Sequence, residues 1–167
     1  MGVKDHKRHA AKSVVAAVLT VSDTRTRRTD VTGKLIREEL VKAGHKVIRQ
    51  GIVKDEQREI RAWLKAALKD ARLHAIVING GTGLAKRDVT VEAVRPLLEK
   101  EADGFGDLFR MLSHKDIGSA AIMSRALAGV AKRKVIFCIP GSPDAARLAL
   151  KALIIPELGH IVWEIKR

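Results

Sequence analysis

The stretch "LHAIVINGGTGLAKRD", residues 73–88, decides the fold. Ala75, Ile76, Val77 and Ile78 form a short run that is apolar on both faces, the pattern of a strand buried inside a parallel sheet. It gives way to three glycines within four positions, Gly80, Gly81 and Gly83, with Thr82 between them and Asp88 just beyond. Glycine lets a backbone take dihedrals that side chains forbid and lets it approach a ligand closely. A loop of this kind between a buried strand and a helix is a candidate anion cradle.

Working outward, the same alternation repeats. "SVVAAVLTVSD" reads as a buried strand ending near Ser22-Asp23, followed by the polar loop "TRTRRTDVTG". Ile36, Leu40 and Ala43 then fall on one helical face, with Gly44 as the stop. "HKVIRQGIVKD" predicts a second strand ending near Asp55. Ile60, Leu64, Ala67, Leu68 and Ala71 mark the next amphipathic helix. After the glycine loop, Thr90 is expected to cap a helix over "VEAVRPLLEK". "DGFGDLFRMLSHKDIGSAAIMSRALAGV" reads as a helical excursion with glycine breaks, and "KVIFCIP" as a fourth strand. Ser142 and Pro143 have the chemistry of an N-cap and a first helical residue. Pro156 is expected to open a last helix whose Leu158, Ile161, Val162 and Ile165 share a face. Apolar strands alternating with amphipathic helices predict an α/β fold: a three-layer α/β/α arrangement around a mostly parallel sheet. The expected organisation is a basic flexible tail over residues 1–12 and one domain over 13–167.

Composition narrows the function. The chain has 167 residues, and 32 Lys and Arg against 19 Asp and Glu leave a net charge of +13. That favours anionic partners. Aromatic residues are only 3% with no Tyr, so stacking platforms for single-stranded nucleic acid are nearly absent, and nucleic acid is not the expected partner. The one cysteine, Cys138, supports no disulfide framework and fits a reducing cytoplasm. No apolar run approaches the roughly 20 residues of a membrane span. "MGVKDHKRHAAKS" lacks the apolar core of a secretory signal, and His6 stands where a myristoylation signal carries Ser or Thr. His6, His9, His45, His74, His114 and His160 show no zinc-ligand spacing.

In open parallel sheets, ligands gather outside the carboxyl ends of the strands. On that rim the sequence is expected to bring Ser22 and Asp23, Asp55, the Gly80–Gly83 loop with Asp88, and Gly141-Ser142-Pro143. Standard phosphate fingerprints are absent: Lys86 occupies the last glycine of GxGxxG, and Gly33-Lys34 lacks the rest of a P-loop. Taken singly, Asp55 also reads as a helix N-cap, Asp88 as a turn residue or partner of Arg87, and Lys54 as a solvated base. Asp23 and Asp30 are ordinary loop residues on their own. Together, two carboxylates beside bound phosphates are the arrangement that holds Mg²⁺ during phosphoryl or nucleotidyl transfer.

These loops, in this order, resemble the MoaB/MogA family of molybdenum cofactor biosynthesis proteins. The matching pieces are "LTVSDTR" (19–25), "DVTGKLI" (30–36), "GH.V....IVKDE" (44–56), "NGGTGLAKRDVTVEA" (79–93), "GFGDLFR" (104–110), "SRALAG" (124–129), "PGSPDA" (140–145) and "PELGH" (156–160). The resemblance implies a fold that binds molybdopterin and, in active members, adenylylates its phosphate with Mg²⁺-ATP, releasing pyrophosphate. It implies Asp55 and Asp88 as the catalytic pair. It implies Ser22, Asp23, Asp30, Gly80, Gly81, Thr82, Gly83, Ser124, Gly141, Ser142 and Pro143 as substrate-binding residues. A homotrimer or homohexamer is implied, with the metal-insertion protein of the same pathway as a possible partner. The alternative is a molybdopterin carrier or scaffold without turnover. Lys54 and Val91 depart from the family pattern, which often has proline at both positions.

Overall fold

A computed structural model of the chain describes residues 10–167. The expected basic tail therefore falls largely outside the described residues. Of its last residues, Ala11 is partly buried, and its N–H donates to Gly159 O at 3.1 Å, so the chain is already docked on the last helix before residue 13.

The elements run β1 (Val15–Val21), α1 (Val31–Lys42), β2 (Lys46–Val53), α2 (Gln57–Lys69), β3 (Ala75–Asn79), α3 (Thr90–Val94), β4 (Lys100–Glu101), α4 (Asp103–Ile117), β5 (Leu127–Ala131), β6 (Lys134–Ile139), α5 (Pro143–Ala149) and α6 (Ile155–Lys166). One six-stranded sheet has the order β2-β1-β3-β6-β5-β4. β2, β1, β3 and β6 are parallel; β5 and β4 are antiparallel additions at one edge. The strands alternate their side chains between two cores. Ala16, Val18, Val77 and Phe137 pack under α1, α4, α5 and α6, while Ala17, Leu19, Ile76 and Ile78 pack under α2 and α3. The expected three-layer α/β/α arrangement is the observed one.

The register explains why the rim is level. Thr20 pairs with both Ile52 and Asn79, and Asn79 pairs with Ile139, so the last residues of four parallel strands stand side by side. β2 and β3 lie on opposite sides of β1. The connections after β1 and β3 therefore diverge at that point, which opens a crevice.

Several expectations need correction. Thr90 is not the helix cap; Val89 occupies that position, and the Thr90 hydroxyl instead donates to Gly80 O at 2.8 Å. The helix it begins is short: Pro96 falls in a 3-10 turn over Arg95–Leu97, and β4 follows. Ala71 lies outside α2 and is exposed. The helical excursion is α4 plus a 3-10 turn over Gly118–Met123, and its tail "LAGVA" is strand β5. α5 passes into α6 through a π-turn over Leu150–Ile154 rather than ending before Pro156. A proline lacks the N–H that a regular turn would use, and a π-turn absorbs that defect.

The β5–β6 hairpin turns on Lys132 and Arg133, at φ +47° and +60°. Two positive φ values in a two-residue loop are the geometry that Asn-Gly adopts at least cost. Replacing Lys132→Asn and Arg133→Gly together is expected to raise unfolding stability by about 1–2 kcal/mol. Chemical denaturation measures it; an unchanged midpoint would contradict the turn geometry.

Two histidines tie strand β1 to its neighbours as acceptors. Val14 N–H donates to His45 Nδ1 at 3.2 Å and Val15 N–H to His74 Nδ1 at 3.3 Å. Burial holds both rings below the ordinary histidine value of 6.5, with Lys166 and Lys134 adding to the effect at His74. Protonation would remove both acceptors. Below pH 6.5 the unfolded chain takes up these protons before the folded one, so stability is present at neutral pH and is lost as pH falls below that value. Denaturant midpoints measured from pH 7.5 to 5.5 should show this decline, with a shallower slope in His45→Gln.

Candidate functional site at the carboxyl rim of the sheet

β3 ends at buried Asn79, whose side-chain amide donates to Leu19 O (3.2 Å) and to the Thr20 hydroxyl (3.0 Å). That ties β3 to β1 where the chain leaves the sheet. Gly80 follows at φ +98°, its N–H donating to Ile139 O at 3.0 Å. A Cβ on Gly80 would collide with the Val21 carbonyl oxygen, so no other residue fits this turn. Gly141, after β6, packs against it: a Cβ there would meet Gly80 Cα at 3.2 Å. The two glycine loops touch through bare backbone. The Thr32 hydroxyl fixes the second loop by donating to Gly141 O at 2.8 Å.

Asp55 lies across this turn. A Cβ on Gly81 would stand 3.0 Å from Asp55 Oδ1. The Asp55 N–H donates to Asp23 Oδ1 at 3.0 Å, and Asp23 Oδ2 pairs with Arg87 from the glycine loop. Asp23 thus links the ends of β1 and β2 to the loop after β3. Burial, then the negative charge of Asp88, hold the Asp55 carboxyl above the usual 3.8, partly offset by its own backbone N–H. The two acids are close enough to feel each other. Asp88 Oδ2 accepts from Ala85 N at 2.9 Å, closing the loop on itself. Among the described residues neither Asp55 nor Asp88 has a basic ion-pair partner. Arg87, which sequence could equally pair with Asp88, goes to Asp23.

A cavity of about 280 Å³ opens above the two loops. Its walls include Gly81, Thr82, Gly83 and Asp88 from one loop and Gly141 and Ser142 from the other, with Ser124 opposite. α4 supplies Phe109, Ser113 and Ile117, so the helical excursion forms one wall. Ser142 also caps α5, accepting from Ala145 N at 3.2 Å, and Pro143 opens that helix. Of the other residues singled out from sequence, Ser22, Asp23, Asp30, Asp55, Gly80 and Pro143 do not line this cavity; Asp55 meets it only through its approach to Gly81. Ser22 Oγ accepts from Thr24 and Arg25 N–H groups. The Asp30 carboxylate caps α1 through Gly33 N (2.9 Å) and accepts from Thr20 (2.7 Å). Asp55 is no N-cap; Glu56 holds that position. Lys54 is exposed. Cys138 is fully buried, its thiol pushed up to about 12.

Arg125 escaped the sequence reading. Its Nε donates to Gly83 O (2.9 Å), one Nη donates to Asp88 O (2.9 Å), and the guanidinium pairs with Glu92. Its own N–H donates to Thr82 O at 3.2 Å. One side chain therefore holds the carbonyls of the glycine loop outward. Gly81, Thr82, Gly83 and Asp88 of the same loop line the cavity.

A level parallel rim, two touching glycine loops and a pair of acids flanking the switch point define an α/β protein with the strand-end crevice at which open parallel sheets bind ligands. Residues 17–160 match the family described as "Probable molybdopterin binding domain", and the chain belongs to it. "Molybdenum cofactor biosynthesis protein B" of Halalkalibacterium halodurans is 54% identical over 166 residues, covering 99% of this chain and 98% of that protein. A crystal structure of a molybdenum cofactor biosynthesis protein B superposes with a TM-score of 0.92 at 51% identity, covering 95% of this chain and 99% of that one. The tungsten cofactor synthesizing protein MoaB from Pyrococcus furiosus superposes with a TM-score of 0.85 at 34% identity, covering 95% and 100%.

Proposed function

We propose that this chain acts in molybdenum cofactor biosynthesis by binding molybdopterin and adenylylating its phosphate with Mg²⁺-ATP, releasing pyrophosphate. The observation that carries this is the placement of Asp55 Oδ1 beside Gly81, with Asp88 close enough to raise its proton affinity. An oxygen of the pterin phosphate attacks the α-phosphorus of ATP in line. The new P–O bond forms as the α–β anhydride bond breaks, and the electron pair leaves on pyrophosphate. Backbone amides of Gly81–Gly83 hold the anionic oxygens, and Ser124, Gly141 and Ser142 complete the substrate walls. Such preorganised donors lower the barrier most where water is excluded.

Two carboxylates without basic partners among the described residues fit Mg²⁺, which takes one or two protein carboxylates together with substrate phosphate oxygens. Mg²⁺ bound with the triphosphate would supply charge neutralisation, and Asp55 and Asp88 would hold it and orient the reacting groups. Ser22, Asp23 and Asp30 act one step back, by fixing the loops that carry Asp55 and the α1 N-terminus.

A carrier without turnover is the second reading. One observation favours it: the Asp88 carboxylate already serves its own loop through Ala85. Incubation with molybdopterin, ATP and Mg²⁺ separates the two, because only the transferase releases pyrophosphate.

Self-association as a homotrimer or homohexamer belongs to the same proposal. Leu108, Met111, Ile117, Ile122 and Met123 expose 46%, 55%, 58%, 76% and 52% of their surface along α4 and the turn after it, more apolar surface than scattered single residues would leave. Handing the product to a metal-insertion protein, in the cytoplasm, completes it. No helix among the described residues is long and apolar enough to cross a membrane.

A further inference from the structure

Behind Ser124 lies a second cavity, also of about 280 Å³, which shares only that residue with the cavity above the glycine loops. Arg95, Arg110 and Arg125 line it, and no acidic residue does. Each guanidinium is held by a carboxylate that is not part of the wall. Arg95 Nε donates to Glu101 at 2.7 Å, Arg110 Nη2 to Asp107 at 2.7 Å, and Arg125 pairs with Glu92. These ion pairs fix where the arginines sit. They leave donors over, because a guanidinium has five N–H groups and Arg95 uses one of them in this way. Gly106 makes room for Arg110: a Cβ there would stand 3.0 Å from its Nη1.

A second observation is independent of the arginines. Ser124 Oγ is buried and has no hydrogen-bond partner, alone in this among the described side chains. A buried hydroxyl left unpaired costs about 1–3 kcal/mol, and a ligand acceptor would remove that cost. Three guanidiniums with donors left over from their ion pairs, beside a buried unpaired hydroxyl on a residue of the wall, match an oxyanion with acceptors in several directions.

We propose that this cavity is a second anion site, taking a tetrahedral oxyanion of the phosphate type. Its position gives the site a consequence. Arg125 forms part of this wall and also grips Gly83 O and Asp88 O, so an anion here meets the group that shapes the glycine loop. The proposal does not depend on adenylyl transfer, since it concerns binding of the free ion.

Inorganic phosphate is the probe, titrated into the full chain at low ionic strength and followed by calorimetry and by backbone amide shifts. The expected shifts include Ile122 to Ala126. Arg95→Gln with Arg110→Gln should weaken that binding at least about tenfold, as loss of charge-assisted bonds does. Arg27→Gln with Arg37→Gln removes the same charge from a separate basic groove beside α1 and should change it less than about threefold. Shifts confined to Gly80–Gly83 and Gly141–Ala145, or equal weakening in the two double variants, would overturn the proposal. The amide shifts on the unaltered chain decide it even if a variant fails to fold.

Discussion

Asp88→Asn is expected to lower pyrophosphate release by about 10²–10³-fold while molybdopterin still binds. Asparagine is the informative replacement. Its side-chain oxygen can keep the bond from Ala85 N, and the backbone bonds to Ala85 and Arg125 do not involve the side chain. The loop should keep its shape and lose only charge. Asp88→Ala removes both, so a defect there would not separate chemistry from loop collapse. The comparison is a kcat measurement beside a molybdopterin binding isotherm. Unchanged turnover in Asp88→Asn would remove that carboxylate from the mechanism, and lost binding would assign it to the substrate cradle.

Gly80→Ala should produce the largest loss of stability from a single methyl group. The backbone there sits at φ +98°, and the added carbon would run into the carbonyl oxygen of Val21. Neither can relax easily, because Gly80 N–H is bonded to Ile139 O and Gly80 O accepts from Thr90. Strain and overpacking together are worth roughly 3 kcal/mol or more, or a fall in Tm of about 10 °C. Gly104→Ala is the control. It lies in α4 with nothing within 4 Å of the added carbon, and alanine's better helix propensity should stabilise by up to about 1 kcal/mol. Equal effects at the two positions would mean that the close approach at Gly80 is not what shapes the rim.

The parts of this molecule legible in its sequence are those that depend on local pattern. β1, β3 and β6 are continuous apolar runs, and their buried faces leave little else for them to be. α2 shows its apolar stripe directly. The glycines of the two loops mark positions where backbone meets backbone, as Gly80 and Gly141 do. β5 was illegible because "LAGVA" is small and glycine-broken, and because its hairpin turns on Lys132-Arg133 rather than on a turn-forming pair. Thr90 looked like a cap because caps are local; its actual acceptor, Gly80 O, is ten positions back across a turn. Arg125 could not have been found that way. Its value comes from carbonyls 42 and 37 positions earlier, which only the folded sheet brings within reach. The sequence separates Asp55 and Asp88 from the weaker candidates Asp23 and Asp30, but the partners that occupy Asp23 and Asp30 were hidden. Asp30 is committed to capping α1 and Asp23 to Arg87 and the Asp55 amide, and Asp55 and Asp88 have no basic partner among the described residues.

We propose that Asp55 and Asp88, held beyond the ends of β2 and β3 on either side of β1, carry out adenylyl transfer. The most direct test is a single-turnover experiment with the purified chain, molybdopterin, Mg²⁺ and α-labelled ATP. Adenylylated molybdopterin and pyrophosphate should form in equal amounts, and Asp55→Asn should stop both. Molybdopterin bound tightly with ATP left intact would contradict the claim and make this protein a carrier.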